Sequence, residues 1–170
     1  DPHNQLNPGK IASPAEGLPV TVPAARSSPS KIDGVTLRGQ LEDKGFARAL
    51  KMACGMVVPE QRGIERAGGK ALIWMSPDEL LLVLPHDAAD EMVATLDAGF
   101  AGVHALAVNV SDARAVFDVR GTQARDVLAK LMPVDFSRDA FPAAMVRRSR
   151  LAQGAAAGWS EGEDTLRVVC

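Results

Sequence analysis

Two stretches of the chain, 85 residues apart, share the order of a tryptophan, a short acidic turn and an apolar strand. The first reads WMSPDELLLVL from Trp74, and the second reads WSEGEDTLRVV from Trp159. A strand–turn–strand device that occurs twice is typical of a sheet-building unit, whereas a catalytic loop is expected once. We therefore predict that Asp78 and Glu79 belong to a turn between two strands, and that Trp74 corresponds to Trp159.

The segments around this device follow the same order in each half of the chain. Alternating apolar residues predict strands, and apolar residues at helical spacing predict helices. We expect Gly55 to end the first helix and Asp87 to cap the second. The predicted fold is α+β, with two pseudo-symmetric β-α-β-β-α repeats that form helix-covered, largely antiparallel sheets. The repeats cover about residues 33–103 and 104–170 of a single domain, 33–170.

Residues 1–32 differ in composition from the rest of the chain, because they hold six of its eleven prolines. Proline removes a backbone donor and disfavours helix in the residue before it. We predict an extended, proline-rich N-terminal arm. Its composition alone is typical of a disordered leader, but we expect the arm to lie against its own domain or a partner.

Charge and composition exclude several classes of function. A net charge of −2 gives no general attraction to nucleic acid, and the absence of Tyr removes stacking platforms for single strands. No apolar run has the length of a membrane helix. Cys54 and Cys170 lack a metal-ligand spacing, and the N-terminal residues lack the pattern of a secretory signal. These features predict a cytoplasmic protein that binds neither nucleic acid nor membrane.

The residues that carry most enzyme chemistry are sparse in this chain. It has three histidines, and none lies in a recognisable nucleophile motif. The GGK sequence at Gly68 precedes a strand, whereas a phosphate-binding loop follows one, so a hairpin turn is expected there. We therefore predict no catalytic, cofactor-binding or metal-binding residue.

Two polar segments remain as candidate sites. One is the junction VNVSDARAVFDVRG, whose polar residues could face a ligand or could form a turn closed by their own backbone; they are Asn109, Ser111, Asp112 and Arg114. The other is FPAAMVRRSRLA, whose arginines could meet a carboxylate of another subunit or could form a solvated strand face. The possible subunit-interface residues are Arg147, Arg148 and Arg150.

The order of several short motifs resembles the gamma subunit of heterotetrameric sarcosine oxidase. The motifs are the Ser-Pro-Asp-Glu turn, a Val-x-Val-Ser-x-x-Arg strand entry, Gly-x-x-Ala-x-x-Val-Leu in a helix, Pro-Val-Asp after it, and Phe-Pro before the arginine-rich strand. No single motif is highly specific, but their order and spacing together are fairly specific. The resemblance covers roughly residues 33–170.

This resemblance implies a fold similar to the folate-binding domain of the glycine-cleavage aminomethyltransferase. It also implies a structural role beside alpha, beta and delta subunits in the oxidative demethylation of sarcosine to glycine, with the methyl carbon passed to tetrahydrofolate. FAD, FMN, NAD, tetrahydrofolate and zinc are then expected on the partner subunits. The alternative is a freestanding folate-binding or aminomethyltransferase-like protein.

Overall fold

The computed structural model describes residues 26–29 and 31–170, so most of the predicted arm lies outside the described residues. The described part contains ten strands, three α-helices and one short 3-10 turn. In chain order they are β1 Arg26–Pro29, β2 Ile32–Gly39, α1 Lys44–Cys54, β3 Ile64–Ala67, β4 Lys70–Ser76, β5 Glu79–Pro85, α2 Ala89–Gly99, β6 Ala105–Asn109, the 3-10 turn Ser111–Ala113, β7 Val116–Arg120, α3 Ala124–Leu131, β8 Val146–Leu151, β9 Gly154–Gly162 and β10 Thr165–Val169.

The strands form two five-stranded sheets with matching topology. The first sheet has the order β3-β4-β5-β2-β6, and the second has the order β8-β9-β10-β7-β1. All paired strands in the described residues run antiparallel. Because each strand of one sheet has a counterpart at the same place in the other, the predicted α+β fold with two pseudo-symmetric repeats is confirmed.

Two strands pair with a sheet other than that of the strand next to them in the chain: β6, from the second repeat, and β1, from the end of the predicted arm. β6 directly precedes β7 in the chain, yet it pairs with β2 in the first sheet, and β1 directly precedes β2 but pairs with β7 in the second. The structure also adds β3, a four-residue strand that sequence periodicity did not reveal. Gly68 and Gly69 turn the chain between β3 and β4, as predicted for the GGK sequence.

The two sheets stack between layers of helices. One core lies between the first sheet and the pair α1 and α2, a second lies between the two sheets, and a third lies between the second sheet and α3. We call the sheet surfaces that look toward the other sheet the inner faces. Within the described residues α3 is the only helix on the outer face of the second sheet, and the segment after it adds Met132, Phe136 and Phe141 to the same core. An apolar groove lined partly by Val127 and Leu131 lies beside α3.

The predicted correspondence of Trp74 with Trp159 is wrong by one residue. Trp74 lies opposite Leu80 across the β4–β5 hairpin, and the residue opposite Leu166 in the β9–β10 hairpin is Ser160. A shift of one residue turns a strand's side chains to the other face of its sheet. Accordingly, Trp74 packs on the α1 and α2 side, whereas Trp159 is fully buried between the sheets.

Two arginines on equivalent strands of the two repeats join the sheets by equivalent hydrogen bonds. Arg66 of β3 donates to the carbonyl of Ser160 at 2.7 Å, and Arg148 of β8 donates to the carbonyl of Met75, also at 2.7 Å. β3 and β8 are counterparts, so each repeat sends one guanidinium group across to the other sheet. Charged donors make strong hydrogen bonds, and these two bonds hold the sheets in register.

One predicted helix end is confirmed by the structure, and one predicted cap is wrong. Gly55 ends α1 in the left-handed conformation, as expected, and Asp43, which was not predicted as a cap, accepts the Phe46 amide at 2.9 Å. The prediction that Asp87 caps α2 is wrong. Asp33 of β2 accepts the amides of Ala88 and Ala89 at 3.0 and 3.1 Å, so a strand distant in sequence supplies the cap.

Replacing Asp33 with Asn is expected to lower the free energy of unfolding at neutral pH by about 1 kcal/mol, because the charged acceptor of the two amides is lost. Burial acts to raise the pKa of Asp33, but its hydrogen bonds to His86, Ala89 and Ala88 outweigh burial and lower that pKa. The group therefore stabilises the fold above its ordinary pKa of 3.8, and this stabilisation is lost as the pH falls through the lower folded value.

Urea unfolding of wild type and of Asp33→Asn at a series of pH values measures this effect. The difference between them should shrink as the pH falls below 3.8. Asp87→Asn is the matched control, because its side chain is 87% exposed, and it should change stability by less than about 0.5 kcal/mol. An equal loss in both variants would assign the cap to Asp87.

Candidate subunit interface

The predicted turn between β4 and β5 places one carboxylate in solvent and the other inside the protein. Asp78 lies in the turn and Glu79 begins β5, which confirms the turn prediction. The side chain of Asp78 is 60% exposed, whereas that of Glu79 is 6% exposed. Burial of a carboxylate is costly unless positive groups surround it, so the neighbours of Glu79 identify the site.

Three arginines from separate elements surround Glu79, and we call this group the arginine cluster. Arg38 of β2 approaches it at 3.1 Å, Arg114 from the segment before β7 at 3.5 Å, and Arg148 of β8 at 4.0 Å. Arg38 belongs to the first sheet and Arg148 to the second. Glu79 therefore brings together guanidinium groups from both sheets.

Asp78 extends the cluster toward the surface. It accepts a hydrogen bond from Ser76 at 2.5 Å and another from Arg38 at 2.8 Å. These hydrogen bonds, with that to Ser76 the largest cause, lower the pKa of Asp78. Three arginines thus share two carboxylates, and the cluster keeps an excess of positive charge.

Apolar side chains lie exposed beside the cluster, on the inner face of the first sheet. Leu106 and Val108 of the edge strand β6 are 53% and 40% exposed. They lie directly opposite Arg38 and Thr36 of β2, so all four side chains share one face. We call these four residues the open inner face, because Arg38, Leu106 and Val108 are exposed there and Thr36 is half-buried between them.

The predicted junction site is a turn, and it supplies one of the arginines. The side chain of Asn109 accepts hydrogen bonds from the amide and the hydroxyl of Ser111 at 3.0 and 2.7 Å. This is the self-bonded turn that we named as the alternative to a ligand site. Asp112 is exposed, and Arg114 reaches Glu79.

The three predicted interface arginines of β8 have different surroundings. Arg148 belongs to the arginine cluster, and Arg150 is exposed. Arg147 is partly buried, and its Nη1 atom has no hydrogen-bond partner among the described residues. Subunit contact by these arginines stays a prediction, but only Arg148 lies beside Glu79.

The second sheet also buries an acid on its inner face. Asp118 of β7 binds Arg167 through two bonds of 2.7 and 3.1 Å and Arg120 at 2.8 Å. Burial acts to raise the pKa of Asp118, and the bonds to the arginines outweigh it, so the pKa is lowered. With Arg167 only 16% exposed, this group is internal and structural.

The histidines and cysteines of the described residues have different surroundings and form no common site. His86 bonds Asp33, His104 is exposed, and His3 lies outside the described residues. In the described part of the chain no group of three His, Cys, Asp or Glu side chains is placed to hold a metal. Cys54 is buried and Cys170 is exposed, both as free thiols. None of the helices in the described residues combines the length and the apolar character that a membrane span requires.

Sequence reasoning missed Arg38, and it named Arg114 only as a junction residue that could face a ligand or belong to a turn. Arg38 stands at a polar position of the alternating strand VTLRGQL, where solvent exposure was the natural reading. One usable signal was Glu79, which starts an otherwise apolar strand and so predicts a buried carboxylate that needs cations. Which arginines pair with Glu79 depends on the order of the strands in the sheets, and a local sequence pattern does not contain that order.

Comparison with known proteins identifies relatives of this chain. Residues 38–170 match the model of the sarcosine oxidase, gamma subunit family. A sarcosine oxidase subunit gamma from Corynebacterium sp. (strain P-1) is 32% identical over 74% of this chain and 61% of its own length. The chain thus spans about three fifths of that relative.

Two solved structures have the same fold. Heterotetrameric sarcosine oxidase from Corynebacterium sp. U-96 matches with a TM-score of 0.78 and 24% identity, over 86% of this chain and 75% of that one. Glycine cleavage system aminomethyltransferase T from Bartonella henselae matches with a TM-score of 0.60 and 14% identity, over 86% of this chain and 42% of that one. The predicted likeness to the aminomethyltransferase fold is confirmed.

Proposed function

Because the chain belongs to the sarcosine oxidase gamma subunit family, we propose that it is a non-catalytic subunit of a heterotetrameric sarcosine oxidase, with a role in assembly. The complex would demethylate sarcosine to glycine and pass the methyl carbon to tetrahydrofolate. Alpha, beta and delta subunits would be its partners, and they would carry the FAD, FMN, NAD, tetrahydrofolate and zinc. The cytoplasm is the proposed location, which two free cysteines far apart in the sequence support.

The observation that carries an assembly role is the open inner face beside the arginine cluster. Leu106 and Val108 are exposed side by side on an edge strand. Charged residues, proline or a bulge usually prevent an edge strand from pairing with another chain. Within β6 neither a charged residue nor a proline is present. Exposed apolar residues beside arginine, a residue enriched at interfaces, are typical of a contact surface. We propose that a partner subunit covers this surface.

Co-expression of the chain with the other subunits of its complex tests the proposal. We expect the chain to co-purify with flavin-containing subunits, and the purified chain alone to show no sarcosine oxidation and no flavin absorbance. Oxidation of sarcosine by the chain alone would contradict the proposed role, as would a fully assembled and active complex that excludes the chain.

Leu106→Glu is expected to weaken association with the partner subunits by about 100-fold, because it places a carboxylate in an apolar contact and engages Arg38. Size-exclusion chromatography of the co-expressed subunits measures the loss. Met52→Glu is the matched control, since Met52 is 81% exposed on α1, on the other side of the first sheet. Thermal unfolding of each isolated variant should stay close to wild type. Normal assembly of Leu106→Glu would remove this surface from the interface.

The alternative, a freestanding folate-binding or aminomethyltransferase-like protein, has a direct test. Isothermal titration of the purified chain with tetrahydrofolate should give no saturable heat if the chain is an assembly subunit. A Kd below about 100 µM would favour the alternative. The shared fold gives no preference, because one fold serves many functions.

A further inference from the structure

A cleft opens where the edges of the two sheets meet, and we call it the sheet-edge cleft. It has a volume of about 360 Å³ and lies between β4, β8 and the segment before β3. The residues that line it come from both repeats and include three arginines and a tryptophan. They are Gln61, Arg62, Trp74, Met75 and 146–148.

Backbone contacts between the repeats fix the shape of this cleft. The amide of Val146 donates to the carbonyl of Arg62 at 2.9 Å, and Gly63 forms an isolated bridge with Met145. Arg62 has a φ of 63°, in the left-handed region that is unfavourable for a residue with a side chain. Strain of this kind persists where the surrounding structure holds it, and it is concentrated at functional sites.

The charges on the cleft wall are all of one sign. Arg62, Arg147 and Arg148 line it, and no lining residue is an Asp or Glu. Arg148 is partly neutralised by Glu79 at 4.0 Å, whereas Arg62 and Arg147 have no ion-pair partner among the described residues. Alternate residues of a strand point to opposite faces, but β8 is an edge strand, so Arg147 and Arg148 can both reach an opening at that edge.

One donor beside the cleft lacks an acceptor. Nη1 of Arg147 is buried and has no hydrogen-bond partner in the described part of the chain. A buried polar group without a partner is rare in native proteins, and a charged donor left so is more costly than a neutral one. Three guanidinium groups of like charge repel one another, and an oxyanion bound by the accessible atoms of the cleft wall would offset that repulsion.

We propose that the sheet-edge cleft binds a small free oxyanion, a carboxylate or a phosphate, held by Arg62, Arg147 and Arg148 against Trp74. Guanidinium groups match the geometry of both oxyanions, since they donate two parallel N–H bonds. Trp74 is partly exposed and provides an apolar wall for the ligand's remaining atoms. The proposal does not rest on the assembly role, because the cleft and the open inner face are formed by different residues; Arg148 alone belongs both to the cleft and to the arginine cluster beside that face.

Titration of the full chain with inorganic phosphate and, separately, with succinate tests the proposal, with tryptophan fluorescence and calorimetry as readouts. We expect saturable binding of at least one anion with a Kd near or below about 1 mM. Arg147→Gln and Arg62→Gln should each weaken it about 10-fold, the usual effect of losing one charged hydrogen bond. Arg150→Gln, on the same strand but outside the cleft lining, should bind as wild type does.

Three outcomes would overturn the proposal. The first is the absence of saturable binding of either anion up to about 20 mM at low salt. The second is binding that Arg150→Gln weakens as much as Arg147→Gln does, which marks general attraction to surface arginines. The third is a response to an acetylated pentaglutamate peptide alone, which would assign the cleft to an acidic side chain of another protein. Thermal unfolding of each variant verifies that it is folded.

Discussion

Glu79→Gln is expected to lower the free energy of unfolding by about 2–3 kcal/mol. The change keeps the volume of the side chain but removes the negative charge shared by Arg38, Arg114 and Arg148. Loss of one member of a fully buried ion pair costs about 3–5 kcal/mol. The side chains of these arginines are 33–51% exposed and can regain water, which reduces the expected cost.

Urea unfolding followed by circular dichroism measures this loss. Asp78→Asn is the matched control, because Asp78 contacts Arg38 from the same turn but is 60% exposed, and we expect a much smaller change. Arg38→Met in the Glu79→Gln background should restore part of the lost stability, since one uncompensated cation is removed. Equal stability of wild type and Glu79→Gln would show that the arginine cluster contributes nothing to holding the sheets together.

Trp159→Ala is expected to cost about 3–5 kcal/mol, the usual range for an aromatic side chain deleted from a packed core. Trp159 is fully buried between the two sheets, among side chains of both repeats. Its Nε1 also donates to Glu161 at 2.6 Å. For a chain of this length, such a loss lowers the melting temperature by roughly 10 °C.

Trp74→Ala serves as the comparison, because the sequence alone equates the two tryptophans. Trp74 is partly exposed at the edge of the α1 and α2 core, so its loss should cost well under half as much. Scanning calorimetry of both variants distinguishes the two environments. Equal losses would restore the equivalence of the two positions and contradict the one-residue shift seen across the hairpins.

The duplicated pattern was readable because it depends on local chemistry. Strand–turn–strand segments, the glycine turn before β4 and the glycine end of α1 are each encoded within a few residues. The register between the halves was misread because a conspicuous residue, tryptophan, was aligned with another of its kind. Bulges in both hairpins set the true register, and they depend on pairing partners that a single strand does not reveal.

The features that the sequence did not reveal all come from long-range pairing. Asp33 caps α2 from a strand that lies 55 residues away from Ala88 in the chain. Arg38, Arg114 and Arg148 converge on Glu79 only because β2 lies next to β5 and the second sheet stacks on the first. The pairing of β1 with β7 and of β6 with β2 is also a contact between strands distant in sequence. The local periodicity of the sequence does not show which of these distant residues come into contact.

The pairing of β6 with the first sheet also explains where the proposed interface lies. β6 belongs to the second repeat but forms the edge of the first sheet, and apolar side chains on its inner side are exposed. Leu106 and Val108 therefore remain exposed although they belong to a regular, well-paired strand. In this account, the same topology that joins the two repeats produces the surface for a partner.

Hydrogen exchange of the chain, measured alone and within its complex, tests the central claim most directly. We predict that the amides of Ala105–Asn109 in β6 exchange at least about 10-fold more slowly in the complex than in the chain alone. The exchange rates of the amides of α1 should be unchanged. Protection confined to α1 and α2, with β6 exchanging equally fast in both states, would contradict docking through the open inner face.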